Sequence, residues 1–128
     1  MQARRRRVVC IEDEPEIIEL ITMILETEGF EIIGATAGAE GVALVRSEKP
    51  DLVLLDLMMP GMDGWAVYQS IKSDPGLRDI PVIVLTAKAQ SIDRVLGLYI
   101  AKVEDYITKP FSPEDLLESV NRVLNSKA

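Results

Sequence analysis

Five polar residues stand where apolar runs stop. Glu12 and Asp13 follow the run 8–11, Asp56 follows 52–55, Thr86 follows 82–85, and Lys109 closes the short run 104–108. Each alone has an ordinary structural use, since acids cap helices, threonine ends strands and lysine covers surfaces. Together, three carboxylates, a hydroxyl and an ammonium group point to one chemistry. Crowded carboxylates raise one another's pKa unless a cation neutralises them. Oxygen donors suit a hard ion, and Mg²⁺ in particular binds through one or two carboxylates plus phosphate oxygens and water. A carboxylate is also a nucleophile able to form an aspartyl phosphate. Asp56 is the candidate, because the wholly apolar run before it reads as the most buried strand and would hold it firmly. Lys109 would neutralise a transferred phosphoryl group while the Thr86 hydroxyl donates a hydrogen bond to it. Ala87 and Gly61 would leave room for a bulky phosphodonor.

Other chemistries drop out. There is no histidine, which removes Ser-His-Asp triads, histidine bases and histidine-bound metals. Cys10 is the only cysteine, so no internal disulfide forms, and it lies in an apolar run as a small core residue. The nucleotide-binding patterns GxxxxGK[ST] and GxGxxG are absent. Net charge is -7, and four of the 14 basic residues are Arg4 to Arg7, so the rest of the chain is more acidic still. Such a body repels nucleic acid. The arginine run reads as a solvated chain start leading into an edge of the first strand. No apolar run approaches the roughly 20 residues needed to span a bilayer, and no signal peptide is visible, which predicts a cytoplasmic protein away from membranes.

The elements that must position the polar set alternate. Strands are predicted at 8–11, 30–35, 52–55, 82–85 and 104–108. Helices are predicted from Pro15 to Gly29, over 37–48, 65–73 and 90–101, and from Pro113 onward, the fourth interrupted by Gly97. Five strands alternating with five helices call for right-handed crossovers and a doubly wound parallel sheet covered on both faces. In such sheets ligands bind outside the carboxyl ends of the strands, where all five polar residues would converge. Length and composition fit a single domain over 1–128, with an ordered core of about 6–125.

Four segments carry a family resemblance: VVCIEDEPEI at 8–17, DLVLLDLMMPGMDGW at 51–65, PVIVLTAKA at 81–89 and DYITKPF at 105–111. In this order and spacing, over essentially the whole length, the chain resembles the CheY-like receiver domain of bacterial two-component response regulators. The resemblance implies a flavodoxin-like strand order 2-1-3-4-5. It implies Asp56 as phosphoacceptor, attacking phosphorus in the phosphohistidine of a sensor histidine kinase or phosphotransfer protein. Asp13 and Asp56 would bind Mg²⁺ directly, with Mn²⁺ able to substitute, Glu12 mainly through water, and the backbone carbonyl of Met58 as a further ligand. Thr86 and Lys109 match the switch hydroxyl and phosphate-binding lysine, Ala87 lies beside them, Lys109–Pro110 matches a cis peptide, and Tyr106 matches the switch aromatic.

The implied output is a remodelled surface of fourth helix, fifth strand and fifth helix, read by a downstream protein partner or a missing output domain. The domain would accept and slowly lose its own phosphoryl group rather than turn over an external substrate. A hydrolase with an aspartate nucleophile would need a further acid/base aspartate shortly after Asp56, which is absent; a phosphate-independent binding module is the other rival. Departures fall near the output surface. Lys102 and Val103 replace a usual Gly-Ala pair. Asp93, Arg94, Gly97 and Leu98 resemble the transcription-factor branch, whereas Ser119 and Asn121 stand where that branch has arginines for its dimer, so a phosphorylation-dependent dimer stays open.

Overall fold

Side chains alternate sides along an extended strand, so a run of Val, Ile and Leu without intervening polar residues needs cover on both faces. The computed structural model describes residues 5–57, 59, 64–87 and 103–126, and it buries three such runs at the centre of one sheet. In chain order the elements are β1 Arg7–Ile11, α1 Pro15–Glu26, β2 Glu31–Ala35, α2 Gly38–Glu48, β3 Leu52–Asp56, α3 Gly64–Lys72, β4 Val82–Ala87, β5 Asp105–Lys109 and α4 Pro113–Ser126. The strands pair in parallel in the order β2-β1-β3-β4-β5.

Alternation splits the core in two. Val9, Ile11, Val53, Leu55, Val82 and Val84 pack with Val42 and Val45 of α2 and with Val67, Tyr68 and Ile71 of α3. Their neighbours Val8, Cys10, Leu52, Leu54, Ile83 and Leu85 face the other way, onto Ile21 and Leu25 of α1 and Leu116 and Val120 of α4. Each fully buried aliphatic side chain contributes about 1.5–3 kcal/mol, so the inner strands hold the sheet far more firmly than the half-exposed β2 and β5.

Local chemistry sets the helix ends. Pro15 opens α1, where its missing N–H needs no partner. Gly29, at φ 86°, lets the chain turn out of α1 into β2. Ser112 and Asp115 cap α4 reciprocally: the Ser112 N–H donates to Asp115 Oδ2 at 3.3 Å and the Asp115 N–H to Ser112 Oγ at 3.0 Å. A side chain at Gly64 would place its Cβ 2.5 Å from Leu57 Cα, so the start of α3 presses directly on the backbone that follows Asp56.

One expectation needs correction. Among the described residues there are four helices, not five. The helix read over 90–101 lies outside the described residues, as does Lys102. Gly97 interrupts the helix's apolar spacing at a cost of about 1 kcal/mol relative to alanine, which bears on its length. Arg5 and Arg6 are exposed and precede β1, which begins at Arg7. Arg5 donates to the carbonyls of Gly29 and Phe30, at 3.4 and 3.0 Å, and Arg7 pairs with Glu48 while its N–H donates to Asp51 at 2.8 Å. These arginines fasten turns at the amino ends of the strands.

Candidate functional site

The chain leaves β1 toward the face that carries α1 and leaves β3 toward the opposite face, which carries α3. Neighbouring parallel strands whose connections diverge in this way open a crevice at their carboxyl ends. Glu12 directly follows β1, its N–H held by the Ala35 carbonyl at 2.9 Å, and Asp56 is the last residue of β3. Glu12 is fully buried, Asp56 is 3% exposed, and Asp13 is half-buried. One carboxylate oxygen from each of the three lies within 4.8 Å of the others.

Lys109, the last residue of β5, reaches across from the far side of β4. Its Nζ lies 2.7 Å from Glu12 Oε1, 3.2 Å from Asp56 Oδ2 and 3.8 Å from Glu14 Oε1. The contact with Asp56 is a hydrogen bond. That with Glu12 Oε1 is a close ion pair with a fully buried carboxylate. Burial pushes the Glu12 carboxyl up to about 7, with Lys109 pulling down and the Asp56 charge pushing further up. Lys109 is itself raised: burial works against its charge, but Glu12 and Asp56 outweigh that.

This donor set fits a hard divalent cation. All three groups offer oxygen and two are buried, so a bound ion would offset the negative charge that the pocket crowds together. The acidic cluster is therefore a plausible metal site.

The remaining sequence candidates fall around it. Leu85 registers with Asp56, Thr86 with Thr108 and Ala87 with Lys109, which puts the end of β4 between the acid and the lysine. Thr86 is 1% exposed. Tyr106 registers with Val84, two residues before Thr86 and on the same sheet face, where its half-buried ring packs against the α2–α3 side of the core. The Lys109–Pro110 peptide is cis. Met58 and Gly61 lie outside the described residues.

Sequence reasoning passed over two residues. Glu14 occupies the N-cap of α1 but makes no capping bond there; its side chain lies near Lys109 instead. A glutamate where helices favour Ser, Thr, Asp or Asn was the available signal. Ser119, noted only as an absent arginine, is buried and donates its hydroxyl to Asp105 Oδ2 at 2.5 Å, where Arg122 also pairs.

A profile of the response regulator receiver domain matches residues 8–121. The DNA-binding response regulator MtrA of Mycolicibacterium smegmatis is 40% identical over 120 residues, which cover 94% of this chain and 51% of MtrA. The chain thus spans about half the length of that relative. Protein PilH of Pseudomonas aeruginosa is 40% identical over 118 residues, covering 92% of this chain and 97% of PilH. The crystal structure of the signal receiver domain of a signal transduction histidine kinase from Syntrophus aciditrophicus is similar at a TM-score of 0.84 and 36% identity, covering 94% of this chain and 91% of that one. No helix among the described residues is long and apolar enough to cross a membrane. Sequence, strand order and the clustered acids with their lysine agree, and the chain belongs to the response regulator receiver domain family, whose members accept a phosphoryl group in two-component signalling and are not turnover enzymes.

Proposed function

We propose that Asp56 is the phosphoryl acceptor, loaded from the phosphohistidine of a sensor histidine kinase or phosphotransfer protein in the cytoplasm. The observation that carries this reading is the position of Asp56, a buried carboxylate that shares a pocket with Glu12 and Asp13 and has Lys109 Nζ 3.2 Å from its Oδ2. A carboxylate oxygen of Asp56 forms the new P–O bond as the P–N bond to the donor imidazole breaks, the electron pair staying on the ring nitrogen. Lys109 then moves from the carboxylates to the phosphoryl oxygens, where its charge counts most. Asp13, Asp56 and the Met58 carbonyl would hold Mg²⁺, or Mn²⁺ in its place, with Glu12 acting through water; bound there, the ion lets the carboxylates coexist and neutralises phosphoryl charge.

Phosphorylation adds negative charge and strong acceptor oxygens at the rim. The Thr86 hydroxyl donates to them, and Tyr106, on the same face of the sheet, follows into the space released. The surface of β5 and α4 is what a downstream protein or an output domain reads. Residues 1–128 act in this as one receiver domain.

Labelling with radioactive acetyl phosphate and Mg²⁺ tests the assignment. Asp56→Asn is expected to abolish incorporation, and unchanged stoichiometry in that variant would remove Asp56 as the acceptor.

A further inference from the structure

Glu14 stands at the mouth of this pocket in a role no helix cap requires. Its backbone N–H donates to Glu12 Oε2 at 3.2 Å, and its carbonyl accepts from Ile17 and Ile18 at the start of α1. The side chain makes no capping bond. Its Oε1 lies 3.8 Å from Lys109 Nζ, and the side chain is 53% exposed, whereas that of Glu12 on the same ammonium group is fully buried. The lysine that must receive phosphoryl charge is therefore flanked on its solvent side by a negative charge.

We propose that Glu14 is a positioning residue that acts through Lys109 to disfavour highly anionic phosphodonors, setting the donor preference of the site. The inference rests on Asp56 being the acceptor. Two consequences follow from the geometry. The Glu14 carboxylate competes with an incoming phosphoryl group for Lys109, and it repels a donor in proportion to the donor's own negative charge. An exposed charge acts weakly and is screened by salt, so the effect is graded and dependent on ionic strength.

Two small donors separate charge from chemistry. Acetyl phosphate carries about two negative charges near neutral pH, and phosphoramidate, protonated on nitrogen, about one net charge, so a charge-dependent barrier separates them. In both cases an Asp56 oxygen bonds to phosphorus. With the first, the P–O bond to the acyl group breaks and acetate leaves with the electron pair. With the second, the P–N bond breaks and ammonia leaves with the pair, its nitrogen already protonated.

The test measures initial labelling rates of the full chain with Mg²⁺ at low and at high salt. Glu14→Gln is expected to accelerate labelling by acetyl phosphate about two- to fivefold at low salt and labelling by phosphoramidate distinctly less, with the gap closing at about 0.5 M salt. Glu14→Asp, which keeps the charge, should keep the donor ratio of the unsubstituted chain. Glu28→Gln, an equal change of net charge at the other end of α1, should leave that ratio alone. Equal acceleration by both donors, no acceleration, or the same shift from Glu28→Gln would overturn the role of Glu14. No Asp56 labelling in the unsubstituted chain from either donor would overturn the acceptor assignment as well, which distinguishes the two failures.

Discussion

Lys109 Nζ and Glu12 Oε1 stand 2.7 Å apart at the bottom of the crevice, an ammonium and a carboxyl group that share a burial neither would tolerate alone. Glu12 nonetheless titrates near 7, above its ordinary 4.5, because burial outweighs the lysine. A carboxyl group raised in the folded state contributes stability that is complete below about 4.5 and is lost as pH rises through about 7. In the metal-free protein this contribution therefore fades across that interval, while a bound divalent cation favours the ionised form. The rise in melting temperature produced by Mg²⁺ should grow between pH 5 and 7.5. A constant increment over that range would contradict the titration assigned to Glu12, and Glu12→Gln should flatten it.

Asp13 is the half-buried member of the acidic cluster. Even partners one step removed from a metal ion cost tenfold or more in affinity when lost, so Asp13→Ala should weaken Mg²⁺ binding by at least about tenfold. Trp65 follows Gly64 at the start of α3 and packs edge-on against Tyr68 with ring centroids 6.0 Å apart. Its fluorescence offers a titration signal. Equal affinity in the variant, checked by calorimetry, would remove Asp13 from the ligand set.

Gly64 and Gly76 should respond unequally to alanine. At Gly64 the added methyl group meets Leu57 backbone at 2.5 and 2.7 Å, which cannot give way cheaply. Overpacking of this kind costs about 1–3 kcal/mol, less whatever helix propensity the alanine returns. At Gly76 the nearest atoms are Lys49 Nζ at 3.3 Å and Asp74 Oδ1 at 3.4 Å, both on side chains. Urea unfolding should show a clear loss for Gly64→Ala and little change for Gly76→Ala.

Ser119 and Arg122 both meet Asp105 Oδ2, but their surroundings differ. The serine is 3% exposed, and a buried hydrogen bond to a charged group is worth about 1.5–3 kcal/mol. The arginine side chain is 58% exposed, and such pairs are worth about 0–1 kcal/mol. Chemical denaturation should rank Ser119→Ala as more destabilising than Arg122→Ala, and the reverse order would show that the arginine closes the β5–α4 joint.

The parallel sheet and the convergence of Glu12, Asp13, Asp56 and Lys109 were legible in the sequence because β1, β3 and β4 are unbroken apolar runs that end in polar residues, whereas the strand order came from the family resemblance. Burial on two faces leaves few other arrangements for such runs. The half-exposed elements were less legible. Glu31 to Ala35 has only modest apolar content, and Arg5 and Arg7 look like a solvated start until the turn carbonyls and the Asp51 carboxylate they reach are seen. The orientation of Glu14 depends on Lys109, a residue delivered by another strand at the opposite end of the chain, and no local pattern encodes that meeting. Periodicity likewise pointed to a helix over 90–101, a stretch that holds Gly97 and lies beyond the described residues.

Cys10 lies in β1 with no exposed surface, and burial pushes its thiol well above the usual range. As the chain's single sulfhydryl, it stays silent toward alkylating reagents while the sheet is intact and reacts once β1 separates from its neighbours. Its alkylation rate is thus a built-in clock for opening of the central sheet. Ligands that stabilise the folded form should slow that clock, with no engineered probe required.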